Sequence, residues 1–184
     1  MTMDTVRFFK DRAKAQLRSA RAGTAHPPTL QQMQHEVARE AGYRSWRDLL
    51  HADEDDRQLA VTMTLEPHLN LNGFGPGAYG GTMDERRARM AGWRRELRGR
   101  ARDVARVRDW LLANVAPRKT VNPNVGSYSL KHLVERAMGT YIENGVLIAA
   151  AIGAGYGYRR EPGWSPNATL AMSSVSVKQL RNRM

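Results

Sequence analysis

Apolar residues recur at three- and four-residue steps over much of this chain, the period of a helix with one buried face. Val6, Phe9, Ala13 and Leu17 form one such stripe, with Arg7, Lys10, Lys14, Arg18 and Arg21 on the other faces. A helix is therefore predicted over 5–22, ended by Gly23 and followed by an extended Pro27-Pro28 link. Thr29 suits the N-cap of a second helix, 30–41, with Leu30, Met33, Val37 and Ala41 on its stripe. Gly42 fits the left-handed position after it, and Ser45 caps a short third helix over 46–52. Trp46, Leu49 and Leu50 then close a small core over Met33 and Val37.

The period lapses at 66–82, where five glycines and a proline fall within 73–81. This stretch reads as a loop, stiffened by Phe74 and Tyr79 packing on a neighbour. Thr82 caps the next helical segment. Met90, Leu97, Val104 and Leu111 recur every seven residues, with Trp93 and Val107 three places after two of them. Such a seam predicts one helix over 83–115, about 50 Å long, and a homodimer through Met90, Leu97, Val104 and Leu111. Arg100 interrupts the seam, and Gly92 and Gly99 each cost about 1 kcal/mol relative to Ala, so two shorter helices are the alternative.

Beyond Pro117, helices are expected over 129–139 and 141–154. The second is apolar on every side through 146–152 and reads as buried. Alternation over 156–160 and 168–177, around the turn-rich 161–167, predicts a two-stranded hairpin. The expected fold is mainly α. It comprises an N-terminal helical module (1–52), an acidic then Gly-rich linker (53–82), a long Arg-rich helix (83–118) and a C-terminal α+β module (119–184). In the last, a helical pair precedes a β-hairpin in winged-helix-like order.

Charge changes the picture more than composition does. Lys and Arg number 29 against 18 Asp and Glu, a net charge of +11. By segment the net charge is +4 over 1–50, −4 over 51–82, +7 over 83–119 and +4 over 120–184. The preference for Arg over Lys fits bidentate phosphate or carboxylate contacts or a GC-rich coding bias, but that bias does not explain the surplus, which attracts polyanions. No apolar run approaches the ~20 residues of a membrane span. The opening residues lack the order of a secretory signal, so a bacterial cytoplasmic setting is expected. Cysteine is absent, which removes disulfides, thiolate metal sites and thiol nucleophiles.

Candidate chemistry is sparse. Gly75-Pro76-Gly77-Ala78-Tyr79-Gly80 matches G-x-G-x-x-G, but no apolar strand precedes it and no βαβ unit comes after it, so it reads as linker. His26, His35, His51, His68 and His132 share no metal-ligand spacing, and neither a nucleophile elbow nor a paired-carboxylate signature occurs. No cofactor, metal or catalytic residue is expected. Residues 34–46 have the turn of a helix-turn-helix, but the helix after it is short and ends on the acidic run 53–56. In the C-terminal pair, the second helix offers Glu143 and Asn144 and then only apolar residues. Phosphate contacts are therefore expected from Arg94, Arg95, Arg98, Arg102 and Arg106, from Lys131, Arg136, Arg159 and Arg160, and from the tail residues Lys178, Arg181 and Arg183.

Two stretches carry a resemblance. VAREAGYRSWRDLL, within 34–50, resembles a short helical module found near the N-termini of varied bacterial proteins. SYSLKHLVERAMGTYIENGVLIAAAIGAGY with PNA after it, within 127–168, resembles uncharacterised proteins of phages, plasmids and integrative elements, which implies a mobile-element origin. The expectation is a non-enzymatic DNA-binding or nucleoprotein accessory factor of such an element, with duplex DNA or another polyanion as partner and no membrane. The alternative is a protein-binding inhibitor or adaptor of anti-defence type (anti-CRISPR-like), docking on an acidic surface of a host complex.

Overall fold

A computed structural model describes residues 4–22, 26–77 and 79–183. The fold is mainly α, with nine helices and two small antiparallel hairpins among the described residues. The chain divides into two compact units, Met1–Leu65 and Glu66–Met184.

The first unit holds α1 (Thr5–Arg21), α2 (Leu30–Glu40), α3 (Trp46–His51) and α4 (Glu54–Leu65). Asp4, Thr29 and Ser45 cap the first three, each accepting a backbone N–H three residues on. Gly42 takes φ +91° after α2. The end of α1 at Gly23 lies outside the described residues. Phe9, Ala13, Met33, Val37 and Leu49 form the core with Ala60 and Val61. Leu50, expected inside, is 40% exposed.

Helix α4 corrects the linker expected over 53–82. Its acidic run, Glu54-Asp55-Asp56, is a first helical turn, where carboxylates suit the positive end of the helix dipole. Buried Leu59–Met63 comes next. Arg57 fastens it, donating to Thr5 Oγ1 (3.1 Å), Glu54 Oε2 (2.9 Å) and the Ala52 carbonyl.

The second unit opens with a hairpin, β1 (Leu69–Asn70) and β2 (Gly73–Phe74), inside the supposed linker. Leu69, Asn70 and Phe74 are buried. Gly73 sits at φ +122°, and a Cβ there would lie 2.0 Å from the Pro166 carbonyl oxygen, to whose group Phe74 N–H donates. Next come α5 (Met83–Arg98) and α6 (Ala101–Asn114), so the long helix is two, broken at Gly99. Leu97, Val104 and Leu111 are buried within the unit, and α6 packs on α8 (Asn144–Gly153). The seam thus serves this chain's own core and is not free to form the expected homodimer.

Helix α8 is the centre of the unit, buried from Asn144 to Ala151 as its sequence predicts. Its partner α7 (Ser127–Met138) ends on Gly139 at φ +63°. Strands β3 (Tyr158–Arg160) and β4 (Ala168–Leu170) form the expected hairpin, but it is shorter than 156–177. Residues 174–182 fold as α9 (Ser174–Asn182), capped by Ser173, because Val177 and Leu180 bury at helical spacing. Gly145 lets α8 meet the first hairpin. Its N–H donates to the Leu71 carbonyl (2.9 Å), and a Cβ on it would lie 1.9 Å from the Asn70 carbonyl oxygen.

Candidate nucleic-acid interface

The basic residues singled out by sequence all lie in the second unit, but they divide into two kinds. Arg94 is a strut. It is half-buried on α5 and donates to the carbonyls of Glu66 (3.1 Å) and Leu69 (2.9 Å). Arg160 bonds to Glu66 and lies over the Phe74 ring, 4.4 Å from its centroid. Lys131 is 5% exposed and donates to Glu135 Oε1 at 2.6 Å. Arg94 and Lys131 are spent inside the fold, and Arg160, though exposed, is paired with Glu66. Arg98 is half-buried and also engaged. Arg106 is exposed, with a 3.8 Å pair to Asp103 worth little in water. Arg95, Arg102, Arg136 and Arg159 are exposed and hold no carboxylate or carbonyl among the described residues. Lys178, Arg181 and Arg183 are exposed as well.

Counting charge by unit sharpens this. Residues 1–65 carry ten basic and nine acidic groups, net +1. Residues 66–184 carry nineteen and nine, net +10. Nearly the whole surplus belongs to one unit.

That unit also holds an open cleft of about 660 Å³ where the start of α8, α7, the β1–β2 turn and α5 come together. Tyr79, Trp93, Tyr128 and Tyr141 supply its rings. Tyr79 meets Trp93 edge-on at 5.4 Å, and Tyr128 meets His132 at 4.6 Å. Lys131 Nζ stands 4.7 Å from the Tyr141 ring centroid and 5.9 Å from that of Tyr128. A smaller cleft of about 210 Å³ shares Tyr141 and Glu143 with it and adds Arg100 and Arg106. Arg100 is held by Glu143 (2.9 Å) and Asp103 (3.2 Å).

Two amides on the larger cleft are incompletely paired. Asn144 is more than nine-tenths buried, and its Nδ2 donates to the carbonyls of Asn72 (3.3 Å) and Pro166 (3.2 Å) and to Asn167 Oδ1 (3.1 Å). Its Oδ1 and the Nδ2 of Asn72 are buried without a hydrogen bond. Each such orphan costs about 1–3 kcal/mol.

Glu135 organises the wall behind the rings. It accepts from Lys131 Nζ and from Ile142 N–H (3.0 Å), and its Oε2 lies 2.7 Å from His132 Nδ1. Burial pushes its carboxyl up, but the hydrogen bonds from Lys131, Ile142 and His132 outweigh that and hold it below the ordinary carboxylate range. Nearby, burial and then the hydrogen bond to Glu66 push the Tyr158 phenol up to about 12.

Among the described residues of the G-x-G-x-x-G stretch, the Gly75 backbone is engaged within the fold and not turned to a phosphate cradle. Gly75 N–H donates to the His68 carbonyl (2.8 Å), and the Gly75 carbonyl accepts from Asn70 Nδ2 (2.7 Å). Thr82 and Glu85 cap α5 reciprocally, occupying its first donors. Ala78 lies outside the described residues. No group of three His, Asp or Glu residues that could hold a metal ion occurs among the described residues. No described helix is long and apolar enough to cross a membrane.

Sequence reasoning named Lys131 as a site residue and met Tyr79, Trp93 and Asn144 in other roles, but it did not bring them together or single out Tyr128, Tyr141 or Asn72. The signal was present, since Tyr128, Lys131, His132 and Glu135 fall at helical spacing on a face neither apolar nor simply charged. Comparison of the chain with protein-family models, curated proteins and solved structures finds no match.

Proposed function

We propose that this chain is a non-enzymatic nucleic-acid-binding accessory factor of a bacterial mobile element, working through residues 66–184. The observation that carries the reading is the charge of that unit, nineteen basic groups against nine acidic. A surplus of that size draws a polyanion by releasing its counterions. Arg95, Arg102, Arg136 and Arg159 are among the groups with side chains left for phosphates. Arg102 and Arg106 stand four residues apart on α6 and share a face.

The test is fluorescence anisotropy with labelled DNA at two salt concentrations. Affinity is expected to fall about tenfold or more between about 50 and 200 mM salt, as several phosphate contacts require. Reversing Arg95 and Arg102 to Glu is expected to weaken binding and flatten that slope. Absence of binding at the lower salt overturns the reading.

A further inference from the structure

We propose that the cleft at the start of α8 receives an unstacked nucleobase of a single-stranded nucleic acid. The inference rests on the nucleic-acid reading of this unit and narrows it to unpaired strands. Three observations converge on it.

The first is the rings. Tyr79, Tyr128 and Tyr141 are 51%, 56% and 72% exposed, and all line this one cleft. Aromatic faces left in water and gathered together form a stacking platform, which any base can use because every base has a π-face. A duplex cannot use it, since its bases are stacked on one another.

The second is the amide pair. Asn144 Oδ1 offers an acceptor and Asn72 Nδ2 a donor, neither with a partner, on residues already linked by the Asn144 Nδ2 to Asn72 carbonyl bond. A base edge carries both donors and acceptors, the two kinds of partner these atoms lack. A hydrocarbon ligand would leave both amides unsatisfied.

The third is the cations at the rim. The Arg89 guanidinium lies 5.7 Å from the ring centroid of cleft-lining Tyr79, and exposed Arg106 lines the adjoining cleft, which shares Tyr141. The carboxylates in the same place are engaged, Glu135 by Lys131 and Glu143 by Arg100. This balance favours a strand with its base in the cleft and its phosphates outside. The cleft volume of about 660 Å³ suits a ligand of nucleotide size.

The experiment compares a labelled single strand of about 12 nucleotides with an abasic strand of equal length and charge, within the span such grooves cover. Both are titrated into the full chain at one low salt concentration. The base-bearing strand is expected to bind about tenfold tighter, the scale of one stacked base. Tyr128→Ala and Tyr141→Ala should each remove most of that margin while leaving the abasic strand's affinity and the melting temperature unchanged. Tyr141→Phe, which keeps the ring, should retain the margin. Equal affinity for the two strands, or a margin indifferent to both alanines, overturns this inference and leaves the charge-based reading standing. If neither strand binds, both fall.

Discussion

A carboxyl buried as Glu135 is would ordinarily be driven toward its neutral form, and three donors reverse that tendency. Folding therefore favours the charged form. The stabilisation is complete above the ordinary glutamate value, 4.5, and fades as pH falls through the lowered value in the folded state. Glu135→Gln is expected to cost about 3 kcal/mol at neutral pH, because Lys131 would stay buried without its counter-charge. Thermal melts from neutral to acid pH should show the difference between wild type and variant shrinking as pH drops. A constant difference would contradict the assignment. The sequence places this glutamate on one helical face with Tyr128, Lys131 and His132 but gives no sign of its bond to Ile142. Its importance comes from the left-handed turn at Gly139, which brings the Ile142 N–H back onto α7.

Elements were more legible than residues. Helices α1, α2 and α3 can be read from stripes and caps, α7 from its stripe and closing glycine, and α8 from its unbroken apolar run. The heptad stripe was real too, but its partner was misassigned. Leu97 and Leu111 are fully buried by their own chain, each worth about 1.5–3 kcal/mol of apolar burial that a dimer would have to replace. Light scattering at micromolar concentration is therefore expected to return the monomer mass, 20.7 kDa. A doubled mass would overturn that. The hairpin of β1 and β2 was illegible for a physical reason. Two-residue strands have no measurable alternation, and its register is set by distant groups, the Pro166 carbonyl against Gly73 and the Trp93 carbonyl accepting from Leu71 N–H (3.1 Å). Helix α4 was hidden by its own acidic first turn, which imitates a solvated spacer.

At the scale of the whole molecule, a nearly neutral helical unit is joined to a strongly basic one. The sequence revealed the sum of charge but divided it at the wrong places, since the boundary falls at 65/66 and not at either end of a linker. Residues 1–65, the unit that contains the helix-turn-helix-like turn, lack the surplus that a phosphate-reading surface draws upon. A fragment spanning 66–184 is therefore expected to retain the full affinity for nucleic acid, and one spanning 1–65 to show none, in the same anisotropy assay. Loss of binding by the larger fragment, with its melting transition intact, would return the first unit to the interface.

The contact at Gly145 sets a gauge for the cleft. With only a hydrogen between α8 and the Asn70 and Leu71 carbonyls, main chain abuts main chain, and the span between Asn144 and Asn72 is fixed by peptide geometry instead of by side-chain choice. Any change in the bore of the cleft then has to come from the side chains around its mouth, while its floor keeps the same calibre.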